Sequence, residues 1–121
     1  MIHREKKSGR IHVVLDAYFM GEDLLLFLSG GDRPHLGTIT AGARLEPIQT
    51  IQLQQHKEFY ITEELSILLR KQFSGNFAIC GGVHLDNIQK EEITLLTDLC
   101  IELGKEVIDE LTSEVKNTES W

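Results

Sequence analysis

The length, composition and charge of this chain restrict its class before any motif is considered. Its 121 residues suit a single domain, 1–121, and 41% hydrophobic with 26% charged residues are ordinary values for a globular protein. The formal net charge of -7 makes nucleic acid and an anionic membrane surface unfavourable partners. A small anion can still bind, because backbone N–H groups and a few local cations act at short range.

Cysteine usage and hydropathy favour a cytoplasmic protein. The two cysteines, Cys80 and Cys100, are too few for a disulfide framework or a zinc site, and both lie in apolar patterns typical of core packing. No apolar run reaches the roughly 20 residues of a membrane span, and the basic segment 1–9 does not lead into a signal-peptide stretch. We expect residues 1–9 and 117–121 to be flexible ends.

The first half of the chain predicts a series of strands. Residues 11–19 alternate as in a strand with one buried face, and the continuous apolar run 24–28 predicts a strand covered on both sides. Gly, Asp and Pro at 30–34 separate this strand from the next at 36–41, which predicts a hairpin with a longer loop. A fourth strand at 48–55 would complete an antiparallel meander.

The second half begins with a helical period. Leucine spacing predicts a helix that runs towards Phe73, with Thr62 as its N-cap. Residues 77–84 predict a further strand, whose paired glycines indicate close backbone approach. Apolar residues at spacings of three and four from Ile93 to Leu111 predict a long helix.

The order of these elements predicts the fold class. A β-β-β-β-α-β-α sequence favours an α+β, two-layer domain, in which a mainly antiparallel sheet carries both helices packed on one face. The other face of the sheet retains apolar residues. A second copy of the chain can cover that face, so we expect a homodimer.

Polar residues collect first in the loop at 30–35. Its two glycines let successive backbone N–H groups point towards one site, and the guanidinium of Arg33 suits phosphate oxygens. The alternative is a hairpin loop that needs glycine for positive φ and Asp32 for side-chain turn bonding. The sequence leaves both interpretations open.

A second polar segment, 81–87, lies between the last strand and the long helix. His84 and Asp86 are two residues apart, so on an extended chain both would point to the same side and could share a proton, a metal or a ligand. The alternative is that Asp86 or Asn87 caps the long helix and His84 bonds a backbone carbonyl.

A metal site is a further hypothesis. If the two strands are neighbours, His35, His84 and Asp86 form a set of two histidines and one carboxylate that suits a divalent transition metal. A small metal-dependent lyase or hydrolase is therefore one alternative function. The sequence contains no nucleophile elbow and no Walker or dinucleotide fingerprint.

Segments in the same order resemble those shared by one family. They are GGDRPHLG at 30–37, HKE at 56–58, and GVHLDNI at 82–88 followed by EEI at 91–93. Together they resemble the small family of prenylated-flavin chaperones that includes an accessory protein of gallate decarboxylase, over roughly Ile11 to Leu111. Gln89 departs from the Ser-like cap expected ahead of Glu92, and Gln54-Gln55 from the Pro-Gly turn expected ahead of His56.

The resemblance implies a non-catalytic, dimeric protein with an α+β fold similar to small proteasome-assembly chaperones. It would bind prenylated FMN in its reduced form and carry it from the flavin prenyltransferase to a UbiD-like aromatic acid decarboxylase. Transferred by position, the cofactor-binding residues would be Gly30, Gly31, Asp32, Arg33, His35, Gly37, His84, Asp86 and Asn87. A protein-assembly chaperone that uses its sheet face for protein contacts is another alternative.

Overall fold

A computed structural model describes residues 1–53 and 59–119 of the chain. The elements alternate much as the sequence predicts, and the α+β class is confirmed. The strands are β1 (Ile2–Ser8), β2 (Ile11–Met20), β3 (Asp23–Gly31), β4 (Thr38–Gly42), β5 (Gln49–Gln52) and β6 (Phe77–His84), and the helices are α1 (Phe59–Arg70) and α2 (Lys90–Glu119).

One sheet contains all of these strands, in the order β1-β2-β3-β6-β4-β5. The pairs β1–β2, β2–β3, β4–β5 and β4–β6 are antiparallel, and β3–β6 is parallel. The sheet is therefore mainly antiparallel, as predicted. The predicted hairpin between β3 and β4 is wrong, because β6 lies between those two strands.

Both helices pack on one face of the sheet, where alternate strand residues meet the helices' apolar stripes. Contacts join α2 to β1 and β2, and α1 to β4 and β6. The core includes Ile11, Val13, Leu15, Leu24, Leu26, Leu28 and Ile79 from the sheet and Ile61, Leu65, Leu69, Cys100, Leu103, Val107 and Leu111 from the helices. Core packing of Cys100 is confirmed, and burial raises the pKa of its thiol to about 12.

The first turn of α1 differs from the prediction. The helix begins at Phe59, so Thr62 is not its N-cap. Thr62 is buried instead, with its hydroxyl oxygen 2.8 Å from that of Thr40 and 3.4 Å from that of Thr38. Hydrogen bonding among these hydroxyls offsets the cost of burying them, so α1 docks on β4 through a polar contact within the core.

The start of α2 is fixed by Gln89. The N–H of Ile93 donates to the Gln89 carbonyl at 3.1 Å, and the N–H of Gln89 donates to the Glu92 carboxylate at 3.0 Å. The second bond is one half of a capping box. Gln89 therefore occupies the capping position, and the alternative in which Asp86 or Asn87 caps this helix is wrong.

The sheet face turned away from the helices, called the open face below, is lined by Val14, Tyr18, Leu25, Phe27, Ile39, Ile51, Ala78 and Cys80. Phe27, Cys80, Ile39 and Ile51 lie in register across four neighbouring strands and form an apolar row. Phe27 is 39% exposed. In the described part of the chain, β3 is therefore covered on one side only, and Cys80 is half-buried on this face, outside the core predicted for it.

The two ends of the chain include regular secondary structure. Residues 1–9, expected to be flexible, contain β1, which pairs with β2 from Ile2 opposite Ala17 to Ser8 opposite Ile11. Its charged residues are typical of an edge strand and conceal its period. At the other end α2 continues to Glu119, into the segment expected to be flexible. Among residues 1–53 and 59–119, neither helix has the length and apolar character needed to cross a membrane.

Candidate functional site

The two glycine-containing segments meet where β3 and β6 end. These strands run parallel, with Gly31 opposite His84, and the N–H of Asp32 donates to the carbonyl of His84 at 2.6 Å. The carboxyl ends of neighbouring parallel strands lie at one edge of a sheet, a common location for ligand sites. The two segments therefore lie together at one edge of the sheet.

The glycines at this edge are needed for backbone packing. A Cβ at Gly30 would lie 2.2 Å from the carbonyl oxygen of His12, and one at Gly82 would lie 1.7 Å from that of His35. Gly30 and Gly31 also have φ values of 152° and 76°, which favour glycine. The sequence left two interpretations of these glycines open. The structure favours the one in which glycine is needed for positive φ and for close approach of the strands, and not the one in which glycine forms a phosphate cradle.

Three backbone N–H groups of the two loops are bound within the protein. Besides Asp32, the N–H of Gly37 donates to the carbonyl of Gly81 at 2.8 Å, and that of Asp86 donates to the Asp32 carboxylate at 2.8 Å. The carbonyl of Gly37 accepts from the N–H of Leu53 at 2.8 Å. These three amides therefore hold the loops together and do not point at a ligand.

Side chains at this edge form what we call the His84 cluster: Arg33, His35, His84 and Asp86. Oδ1 of Asp86 accepts from Nε2 of His84 at 2.9 Å and from Arg33 at 3.1 Å. The rings of His35 and His84 lie 6.3 Å apart, edge to face. The hydrogen bond from His84 lowers the pKa of Asp86 most, and the bond from Arg33 lowers it further. The Arg33 side chain is 72% exposed, so this cation is accessible to an anion from solvent.

The predicted metal set gains no support from this geometry. Within residues 1–53 and 59–119, no group of three His, Cys, Asp or Glu side chains is arranged to hold a metal ion. The Asp86 oxygen nearest His84 already accepts from two donors. A metal bound by His35, His84 and Asp86 therefore stays a prediction.

Arg10 is the residue of this site that sequence reasoning missed. It lies in the turn between β1 and β2, and its Nε and Nη2 donate to the Glu92 carboxylate at 2.7 and 2.9 Å. Nη2 also donates to the carbonyl of Asp86 at 2.9 Å. No local pattern could join Arg10 to Glu92, since 82 residues separate them and only the folded sheet brings the turn to α2.

The remaining predicted residues fall in two groups. Asn87 has φ of 53°, a left-handed conformation that asparagine tolerates, and its carbonyl accepts from the Gln89 side chain at 2.9 Å. It therefore shapes the turn into α2. His56 and Lys57 belong to residues 54–58 and lie outside the described residues.

A depression of about 540 Å³ lies on the open face, lined by Asp16, Tyr18, Leu25 and Phe27. The rings of Tyr18 and Phe27 meet edge to face with centroids 5.6 Å apart. Tyr18 and Leu25 pair near the start of β3, whereas the His84 cluster lies near its end. The apolar depression and the His84 cluster therefore lie at opposite ends of β3.

Comparison with known proteins identifies the family. Residues 7–112 match the family described as prenylated flavin chaperone LpdD-like domain. The chain belongs to this family. Protein LpdD of Lactiplantibacillus plantarum is 26% identical over 94 residues, which cover 74% of this chain and 69% of that protein.

The fold of this family member also resembles a solved structure. A chain from the crystal structure of a novel chaperone complex for yeast 20S proteasome assembly has a TM-score of 0.58 and 14% identity, and the likeness covers 93% of this chain and 94% of that one. At this identity the likeness shows the fold alone. The family inferred from segments 30–37 and 82–88 is confirmed, and it indicates an accessory protein that handles a flavin.

Proposed function

We propose that this protein binds reduced prenylated FMN and carries it from the flavin prenyltransferase to a UbiD-like aromatic acid decarboxylase, without catalysing a reaction itself. The observation that carries this proposal is the match of residues 7–112 to the prenylated flavin chaperone family. The donor set at the ends of β3 and β6 adds physical support. This set of donors suits a small-molecule cargo better than a protein substrate.

The phosphate of the cargo has suitable partners in the His84 cluster. Arg33 offers a fork-shaped, exposed donor, and the imidazoles of His35 and His84 lie in the same cluster. Asp86 holds Arg33 and His84 towards one point, although its own charge opposes an anion. The phosphate therefore binds mainly through the donors of Arg33 that Asp86 leaves open, with Asp86 orienting this guanidinium and the His84 ring.

The ring of the cargo has an apolar surface within reach. His84 lies four positions after Cys80 along β6, which is about 13 Å at about 3.3 Å per residue. Cys80 lies in the apolar row between Phe27 and Ile39. A flavin whose phosphate contacts the His84 cluster can thus lay its isoalloxazine along the open face.

A second copy of the chain covers the rest of the open face in this proposal. Six strands spaced about 4.8 Å apart form a face that can bury on the order of 600–800 Å² per copy, near the ~800 Å² per partner of specific interfaces. Tyr18 and Phe27, 40% and 39% exposed, would supply aromatic contacts at its centre. Light scattering during size exclusion should give twice the mass of one chain; a single-chain mass at micromolar concentration would rule out this arrangement.

The cargo must also leave. Very tight binding would slow its release to the decarboxylase, so a carrier needs moderate affinity set by few contacts. Both cysteines are free thiols, as expected for the reducing cytoplasm in which we place the transfer.

A binding experiment tests the proposal directly. Under anaerobic conditions, reduced prenylated FMN is titrated into the wild type, Arg33→Gln and Arg44→Gln, with binding followed by flavin absorbance. Arg33→Gln should bind about ten-fold or more weakly, because it loses a charge-assisted contact. Arg44 follows β4 at the end of the sheet where β6 begins, so Arg44→Gln has the same charge change away from the site and should bind like the wild type. Absence of binding by the wild type would contradict the proposal.

A transfer experiment separates a carrier from a simple flavin binder. Loaded protein is mixed with an apo UbiD-like decarboxylase, and activation is compared with that by the same amount of free reduced cofactor. We expect faster or more complete activation from the loaded protein. Equal activation would refute delivery even if binding is observed, and a stoichiometric metal in elemental analysis would favour the metal-dependent alternative.

A further inference from the structure

We propose that Arg10 is a positioning residue for this site: by holding the backbone of Asp86, it fixes the His84 cluster in the arrangement that receives the ligand's phosphate. This inference rests on the proposed function and adds a residue outside the segments that resemble the family. Arg10 lies in the turn between β1 and β2, away from both loops in sequence.

The peptide groups around Asp86 are held from two sides. Its carbonyl accepts from Nη2 of Arg10 at 2.9 Å, and its N–H donates to Oδ2 of Asp32 at 2.8 Å. Nη1 of Arg10 lies 3.7 Å from that same Asp32 oxygen. Arg10 therefore contacts both groups that set where the Asp86 carboxylate sits, and that carboxylate in turn bonds Arg33 and His84.

Arg10 is itself held from the α2 side. Its guanidinium makes two bonds to Glu92, at 2.7 and 2.9 Å, and Glu92 Oε1 also accepts from the N–H of Gln89. Paired bonds of this kind fix the plane of a guanidinium, which a lysine ammonium cannot reproduce. The turn, the loop after β6 and the start of α2 are thus connected through one side chain.

The chain offers a matched control. Arg4 on β1 also makes two bonds to a glutamate of α2: its Nε and Nη2 donate to Oε2 of Glu110 at 3.0 and 2.7 Å. Like Arg10, Arg4 joins the N-terminal end of the chain to α2. Its partner Glu110 lies 18 positions after Glu92, whereas Arg10 also bonds the carbonyl of Asp86 in the site loop. Arg4→Gln and Arg10→Gln therefore each remove one positive charge and one ion pair with a glutamate of α2, and only the second should affect the ligand.

The test measures binding of reduced prenylated FMN and of its phosphate-free form to the wild type, Arg4→Gln, Arg10→Gln and Arg10→Lys. We expect Arg10→Gln to weaken binding of the phosphorylated ligand about ten-fold, comparable to losing one charge-assisted contact, and to change binding of the phosphate-free form far less. Arg10→Lys should behave like Arg10→Gln, because it keeps the charge and loses the geometry. Arg4→Gln should bind both ligands like the wild type.

Amide hydrogen exchange at Asp86 provides a readout that needs no ligand. Exchange there should be faster in Arg10→Gln than in Arg4→Gln, since only the first removes the bond to the Asp86 carbonyl and the contact with Asp32, whose carboxylate accepts from the Asp86 N–H. Two results overturn the inference. One is an equal exchange rate at the Asp86 amide in Arg10→Gln and Arg4→Gln. The other is that these two variants lose the same affinity for each of the two ligands. Wild-type protein that binds no flavin would instead overturn the proposed function, while the exchange comparison still decides whether Arg10 holds the loop.

Discussion

The two faces of the sheet are built differently, although each strand contributes to both. On the covered face, Leu24, Leu26 and Leu28 of β3 are almost fully buried against the helices. On the open face the alternate residues Leu25 and Phe27 remain partly exposed. Of the residues of β3, those on the first face belong to the buried core. The second face keeps apolar surface and a polar end at the His84 cluster, which is the distribution expected of a surface used for binding.

The sharpest test of this comparison uses two adjacent residues of β3. Leu28→Ala should lower the free energy of unfolding by about 2–5 kcal/mol, because it leaves a cavity under the helices. Phe27→Ala should cost less in dilute protein, about 1–2 kcal/mol, because Phe27 is already 39% exposed. Urea unfolding at several protein concentrations measures both. If a second copy covers the open face, the cost of Phe27→Ala grows with concentration; equal costs for the two variants in dilute protein would invalidate the comparison.

Gly82→Ala tests the meeting of the two loops. The new Cβ would lie 1.7 Å from the carbonyl oxygen of His35, so the loop at 32–37 must move, at a cost of about 1–3 kcal/mol and with loss of flavin binding. Gly21→Ala is the control: its φ of 64° makes alanine unfavourable by about 1–2 kcal/mol, but its surroundings are open. We expect the two variants to have similar free energies of unfolding, and we expect only Gly82→Ala to bind flavin more weakly. Normal binding by Gly82→Ala would show that the loop position is unimportant.

The smallest expected effect concerns Glu92 and pH. Hydrogen bonds from Arg10 and then from the Gln89 amide lower the pKa of Glu92 from 4.5 to about 2. Between these values the unfolded chain binds the proton and the folded chain does not, so the stabilisation is present above pH 4.5 and is lost as the pH falls towards 2. The stability difference between wild type and Glu92→Gln should therefore narrow over that range in urea titrations. A difference that is constant with pH would contradict the assigned bonds.

Local patterns predicted most elements of the fold, and non-local pairing explains the errors. The bounds of β6 follow directly from its apolar run at 77–84, and α2 follows from its apolar stripe. The β3–β4 hairpin was wrong because glycine and proline indicate that the chain bends and do not indicate which strand becomes the neighbour. Thr62 has the residue type of a cap, but burial against Thr40 determines its role.

The site was predictable to a similar degree. The paired glycines of the strand at 77–84 correctly indicated close backbone approach, since a Cβ at Gly82 would lie 1.7 Å from the carbonyl oxygen of His35. Three N–H groups of the two loops, those of Asp32, Gly37 and Asp86, are bound within the protein, which the sequence could not reveal. Arg10 was missed because its partners depend on the sheet, on α2 and on the turn at once.

Because β6 lies in the middle of the sheet, it determines the order in which the strands can pair during synthesis. β1, β2 and β3 are consecutive neighbours and can pair as soon as they leave the ribosome. β4 and β5 can pair with each other but have no place beside β3 until residue 84 has emerged, because β6 must enter between them. Until then β3 presents an unpaired edge, so the interval before β6 arrives is when a nascent chain is most exposed to association with other chains.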